Sequence, residues 1–200
     1  MGGTDTQAVA NDATVIARSL AEPERFALVF DRHAPHIHRY LARRVGRQVA
    51  DDLVAETFLT AFRKRSGYDT SHLDARPWLY GIATNLIGQH RRQEVRRYRL
   101  AKQAAYEPFG ADQADGVLAD VTSRSVRAPL CDALVGLTDA DRDVVLLVAC
   151  EELTYAEVAC ALEIPVGTVR SRMHRARSQL REALAETDAT ATYMEILGND

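Results

Sequence analysis

Residues 154–181, TYAEVACALEIPVGTVRSRMHRARSQLR, leave little freedom in how they fold. Thr154 and Glu157 stand at the S/T-x-x-E spacing of a capping box, in which each side chain satisfies a free amide at a helix start. Val158, Ala159 and Leu162 continue as an apolar stripe, so a short helix is predicted. Glu163, Ile164 and Pro165 interrupt it, because proline disfavours helical geometry in the residue before it yet fits the entry of a new helix. From Val166 a second helix is predicted. Val169, Met173, Ala176 and Leu180 recur at three- and four-residue steps, while Arg170, Arg172, His174, Arg175, Arg177 and Arg181 fill most of the other faces. The pattern is a helix-turn-helix. Its second helix has one face to pack and cationic faces to spare, so it can enter a major groove roughly 12 Å wide, first residues near base edges and later arginines on phosphates.

The whole chain has 200 residues, of which 46% are hydrophobic, enough for one domain or two small ones with a real core. The formal net charge of -3 does not announce a nucleic-acid binder, but the average hides segregation, because the arginines are bunched. Cys131, Cys150 and Cys160 are odd in number and lack C-x-x-C spacing, so neither a disulfide framework nor a zinc ribbon is indicated. Small buried thiols in a reducing compartment are the expectation. No apolar run is long enough to span a bilayer, and the N-terminus lacks a basic region followed by an apolar core. No membrane insertion and a cytoplasmic location are therefore expected.

Residues 1–22 are small and polar, and a frayed tail is predicted, with at most a short helix. From Pro23, the residues Phe26, Val29, Phe30, Ile37, Tyr40, Leu41 and Val45 keep helical spacing up to Gly46, which predicts one helix bent at Pro35 or two in succession. His33, His36 and His38 lack the i, i+4 spacing and the supporting ligands of a helical zinc site and are read as surface residues, so no metal or other cofactor is expected. In VADDLVAETFLTAFRK, Leu53, Val54, Phe58, Leu59 and Phe62 form the apolar side, and Asp51 and Asp52 suit a helix N-terminus. Residues 66–76 read as an ordered loop. Pro77 then opens a helix in which Trp78, Leu79, Ile82, Ala83, Leu86 and Ile87 are apolar and Arg91, Arg92, Arg96, Arg97, Arg99 and Lys102 follow. Such a half-packed, half-arginine helix suits phosphate tracking, since each neutralised phosphate releases counterions. Residues 105–128 read as an acidic linker. From Pro129 a further unit begins: Leu130, Leu134 and Leu137 predict a short helix, Thr138 caps the next, and Val144, Val145, Leu147 and Val148 are its buried face, with Cys150 and Cys160 as packing residues. Residues 187–200 form a tail carrying Tyr193, Met194, Ile196 and Leu197. The fold class is all-α, two small helical domains joined by a flexible linker.

Two helical units, each ending in an arginine-rich helix, resemble the extracytoplasmic-function (ECF) sigma factors of bacterial RNA polymerase. The resemblance covers about Arg25 to Lys102 and Pro129 to Leu184, and rests on DDLVAETFLTAFRK, PWLYGIATNLIGQHRR, LTDADRDVVLL and LTYAEVACALEIPVGTVRSRMHRAR in that order. It implies that residues 23–104 form a region 2 domain for core polymerase and the -10 promoter element, and residues 129–186 a region 4 domain for the -35 element. Asp51, Asp52, Glu56, Thr60 and Arg63 would face the polymerase clamp, and the second unit its flap. The loop holding Tyr68, Asp69, Ser71, His72 and Arg76 would correspond to the loop that receives a flipped -10 base, with Asn85 at or beside that pocket. Extruding a base costs a few kcal/mol and needs a shaped polar pocket in compensation. Arg91, Arg92, Arg96 and Arg97 would hold the DNA backbone; Thr168, Arg170, Ser171, Arg172, His174, Arg175 and Arg177 would meet the -35 duplex. Promoter DNA, core polymerase and an anti-sigma factor are the implied partners.

Two departures stand out. Pro165 occupies a helix entry where many relatives have Ser, and Gly81 stands where some carry a basic residue. The aromatic cluster that housekeeping sigmas use for melting is reduced to Trp78, Tyr80 and Tyr98, with Trp78 read as core, so dependence on a stringent promoter is expected. The competing reading is a conventional helix-turn-helix regulator that binds duplex DNA directly, with the first unit as a sensory or dimerisation domain. An enzyme finds no support in G-x-x-x-x-G-K-[ST], H-E-x-x-H or G-x-S-x-G, none of which occurs.

Overall fold

The computed structural model describes residues 10–104 and 124–185, with side chains over 10–100 and 129–185. The linker predicted over 105–128 lies outside the described residues up to 123, as does the 187–200 tail. Among the described residues all regular structure is helical: α1 (Asp12–Arg18), α2 (Ala27–Val45), α3 (Arg47–Lys64), α4 (Arg76–Ala104), α5 (Arg124–Gly136), α6 (Asp139–Ala149), α7 (Tyr155–Leu162) and α8 (Val166–Leu184), with 3-10 turns at Pro23–Phe26 and Arg65–Gly67.

In the first unit, α2, α3 and α4 pack around Val29, Ile37, Tyr40, Leu41, Ala50, Phe58, Leu79, Ala83 and Ile87. Gly46 separates α2 from α3 at φ +81°, a conformation that only glycine adopts without strain. Between the two alternatives for Pro35, α2 is one continuous helix with the proline on its exposed side. Leu59, read as apolar face, is 42% exposed instead.

The frayed tail expected over residues 1–22 needs correction from residue 10 onward. Asn11 caps α1 by accepting from the Thr14 amide at 2.9 Å, and Val15 and Ile16 insert into the core. Asp12 at its start is buried and serves as a hub. Its carboxylate accepts from Arg32 at 2.9 Å, from the Ala75 amide at 3.0 Å, and lies 2.7 Å from His33 Nε2. His33 is therefore a buried partner of Asp12, and the surface reading of this histidine was wrong. His36 and His38 lie at the surface or half-buried, next to Arg39 and Asp51.

The second unit packs α5 to α8 around Leu137, Val144, Val145, Leu147, Val158, Val169, Met173, Leu180 and Leu184. Thr138 caps α6 as predicted, accepting from the Asp141 amide. α5 begins at Arg124 and carries Pro129 inside it, so proline does not mark the start. Cys150 and Cys160 are exposed and Cys131 half-buried, which overturns the packing role given to the first two. Cys150 is the residue that caps the end of α6, and Cys160 lies on α7 between buried Ala159 and Ala161 but turned away from them.

The two units share an interface. Gly81 of α4 lies so close to α7 that a Cβ there would fall 2.4 Å from the Ala161 carbonyl oxygen. The glycine therefore permits contact between helix backbones, a role that its sequence position did not disclose.

Burial works to raise the pKa of Asp12, but the bonds from His33, Ala75 and Arg32 outweigh it and hold the carboxyl well below the usual carboxylate range. A depressed folded-state pKa gives stability that is present at neutral pH and lost as pH falls below about 4 toward the folded value. Asp12→Asn should cost about 1–3 kcal/mol at pH 7. The difference from wild type should shrink in urea melts at progressively lower pH, and a constant difference would exclude a charged Asp12 as the hub.

Candidate nucleic-acid interface

The helix-turn-helix forms as its sequence dictates. Both halves of the capping box are made, the Thr154 amide donating to Glu157 at 2.7 Å and the Glu157 amide to Thr154 Oγ1 at 3.3 Å. Glu163 ends α7 at φ +52°, and the Ile164 amide closes the turn on the Ala159 carbonyl at 3.0 Å. Pro165 precedes α8 with no side-chain cap. Its carbonyl instead accepts from the Thr168 amide at 2.8 Å.

Along α8 the buried stripe is Val169, Met173, Ala176, Leu180 and Leu184. Arg170, Ser171, His174 and Arg175 are exposed, whereas Thr168, Arg172 and Arg177 are half-buried. Arg175 has another task as well. Its Nε and Nη2 donate to the two carboxylate oxygens of buried Asp141 at 2.9 and 2.6 Å, bracing α8 against the start of α6. The Arg175 bonds are the first cause of a lowered Asp141 pKa, and Thr138 adds to it. The brace joins residues 34 positions apart, and no role was read for Asp141 in the sequence.

On the first unit, residues 68–75 form a loop tied down from both sides. Tyr68 donates to the His72 carbonyl at 2.6 Å and packs its ring at a tilt against Trp78, 4.9 Å between ring centroids. The Asp12 amide donates to the Leu73 carbonyl at 3.2 Å, so α1 holds the loop. Burial comes first in raising the Tyr68 pKa above the usual tyrosine range. Asp69, Ser71 and His72 are exposed, the Ser71 amide capping on Asp69 at 2.9 Å. Arg76 is half-buried and paired with Asp74 at 2.7 Å.

Asn85 is exposed on α4, next to Thr84, whose hydroxyl meets Tyr40 at 2.8 Å. Arg92, Arg96 and Arg97 are exposed and make a cationic ridge; Arg97 pairs with Glu94 at 3.2 Å. Arg91 is half-buried and bonded to Asp139 of α6. On α3, Asp51, Asp52, Glu56 and Arg63 are exposed and Thr60 half-buried, with exposed Leu59 among them.

Asp12, His33 and Asp74 each bring a potential ligand atom within 4.8 Å of the others. Those atoms already serve Arg32, Ala75 and Arg76, and the two guanidiniums disfavour a cation there. The cluster is a structural knot.

Residues 29–97 match the family model for Sigma-70 region 2, and residues 127–180 that for Sigma-70, region 4. The chain is 32% identical over 172 residues to ECF RNA polymerase sigma factor SigW of Bacillus subtilis, a match spanning 82% of this chain and 91% of that one. This chain belongs to the ECF sigma factors. It is also 35% identical to SigE of Mycolicibacterium smegmatis over 78% of its own length, but that match spans only 60% of SigE. The fold resembles that of Bartonella quintana RpoE, solved in complex with the anti-sigma factor NepR, with a TM-score of 0.62 at 21% identity over 80% of this chain and 97% of that one.

In this sigma factor the Arg175 brace separates two roles within one basic helix. Arg175→Gln should lower the thermal midpoint of the free protein by a few degrees, whereas Arg170→Gln, on an exposed position, should leave it nearly unchanged. Equal midpoints in calorimetry would show that the Asp141 contact contributes nothing to folding.

Proposed function

We propose that this chain binds core RNA polymerase and directs it to promoters, with region 2 (23–104) on the -10 element and region 4 (129–186) on the -35 element. The observation that carries the reading is the pairing of two reading surfaces in one chain: the exposed α8 start, with Arg170 and Ser171, and α4, which an ordered loop precedes and which carries the exposed ridge of Arg92, Arg96 and Arg97. Arg170, Ser171, Arg172 and His174 meet -35 base edges and phosphates, with Thr168, Arg175 and Arg177 alongside. Asn85 and the loop residues Tyr68, Asp69, Ser71, His72 and Arg76 receive the -10 strand, and Arg91, Arg92, Arg96 and Arg97 track its phosphates. Asp51, Asp52, Glu56, Thr60 and Arg63 on α3 contact the polymerase. The chain supplies recognition and no catalysis of its own. Its partner in the resting cell is an anti-sigma protein, and it works in the cytoplasm, in keeping with the absence, among the described residues, of a helix long and apolar enough to cross a membrane.

The purified chain should co-purify with core polymerase and start transcription at a defined promoter. Arg172→Ala should weaken -35-dependent initiation about tenfold, the loss expected of one base or phosphate contact, and flatten its salt dependence. Tight sequence-specific binding by the free chain as a dimer, without core enzyme, would favour the regulator reading instead.

A further inference from the structure

We propose that α1 is a strut that sets -10 specificity, with Asp12 as its positioning residue: it fixes the span and the backbone path of the loop over residues 68–75, and so the shape offered to the extruded base. This deepens the -10 reading above and rests on the placement of that base in this loop. None of the residues assigned to promoter or polymerase belongs to α1 itself.

The loop has little of its own to hold its far end. Asp69, Ser71 and His72 are exposed, and Leu73 is 61% exposed. Its internal bonds are local. The Ser71 amide donates to the Asp69 carboxylate at 2.9 Å and the His72 amide to the Asp69 carbonyl at 3.1 Å, while the Tyr68 hydroxyl donates to the His72 carbonyl at 2.6 Å and lies 3.2 Å from that of Asp74. These bonds shape the turn, and Tyr68 against Trp78 anchors its entry.

The exit is held by α1. Asp12 makes a two-point bridge to the loop backbone, its amide donating to the Leu73 carbonyl at 3.2 Å and its carboxylate accepting from the Ala75 amide at 3.0 Å. At the other end of the helix, the Ser19 carbonyl accepts from Arg65 Nε at 3.4 Å, three residues ahead of Tyr68. From Asp12 to Ser19 a helix rises about 10 Å. The two ends of α1 thus meet the chain just before the loop and at its close, and the distance between those points is set by a helix.

The strut is itself fixed to the core. Val15 and Ile16 are buried, and so is the Asp12 side chain that does the bridging. Arg32 of α2 donates both to the Ala10 carbonyl at 2.8 Å and to Asp12 at 2.9 Å, and His33 Nε2 lies 2.7 Å from the other carboxylate oxygen. The carboxylate that holds Ala75 is therefore itself held from α2. Such rigidity matters for the reading of a base. Extruding one costs a few kcal/mol, which is repaid in full only by groups that stand in place before it arrives. A loop that must order itself around each base discriminates less among them.

The test uses the full chain, reconstituted with core polymerase, on templates of a mapped promoter carrying each of the four bases at each -10 position. Wild type should prefer one base at the position read by the loop by about tenfold or more, and Asp12→Ala should reduce that preference to about twofold. Core affinity and base preference in the -35 element should stay as in wild type. Asn11→Ala, which removes the cap of α1 from an exposed position, should lose part of the same preference and covers the case in which Asp12→Ala does not fold. Ile37→Val, a methyl deleted from the core on α2, should lower the thermal midpoint yet keep the full preference, because it removes no bond of α1. Full preference in Asp12→Ala, or in Asn11→Ala where the former does not fold, would overturn the strut, as would an equal loss in Ile37→Val or at the -35 element. Initiation by wild type alongside any of those results rejects the strut alone. Initiation indifferent to every -10 base rejects the placement of the loop and the strut with it, and no initiation from any promoter rejects the sigma reading as a whole.

Discussion

A helix that lacks a side chain at one position can bring its backbone against another helix, and the whole arrangement of this protein turns on that approach at Gly81. The contact sets the register of everything along the same side of α4. Beside it, Tyr80, Thr84, Ile87 and Arg91 stand at i, i+4, i+7 and i+11, a single line on the helix surface. Tyr80 reaches Glu151, Thr84 the buried Tyr40 hydroxyl, Ile87 the core, and Arg91 Asp139. The line that seals the first unit is thus also the line that receives the second.

Charge explains why the second unit can lie there. A chain with two arginine-rich helices and a formal net charge of -3 must keep its acids somewhere, and many of them sit where they meet arginine. On α6, Asp139 and Asp143 meet Arg91 and Arg44 across the interface, while Asp141 turns inward to Arg175. Alternate residues at a helix start diverge by about 200° around its axis, so one short acidic run can serve two directions. The same helix therefore braces the recognition helix from within and grips the first unit from without.

How much of this the sequence discloses depends on the range of the interaction that decides each feature. Caps are local, and both Thr138 and the Thr154–Glu157 box were legible from three-residue spacings. The stripe on α8 was equally plain, because a residue at every third or fourth position must be buried for so charged a helix to pack at all. α1 was legible only as a possible short helix in a frayed tail, since seven residues make a marginal helix on their own whatever their apolar content. It is held by Asp12 reaching Arg32, His33 and Ala75, partners 20 or more positions away that no local pattern can pair. His33 was misread for the same reason. The candidate site divides likewise. The exposed residues Arg170, Ser171, Asn85 and the α4 ridge were legible as surface chemistry, whereas the second tasks of Arg175 and Arg91 appear only when α6 is placed beside them.

Buried ion pairs seldom stabilise a contact by much, because removing two charges from water costs nearly what their attraction returns. The pairs around Arg44 and Glu151 therefore contribute more to which surfaces meet than to how tightly they hold. Apolar packing contributes as well, since the buried apolar residues of both units form one cluster, but a wholly apolar interface would leave exposed hydrophobic faces on opening, and these invite association with other chains. Carboxylates and guanidiniums avoid that cost, since each returns to water or finds a new partner. An interface that sets carboxylate–guanidinium pairs beside apolar contact therefore exposes partly charged faces when it parts, which water solvates more readily than a purely apolar one.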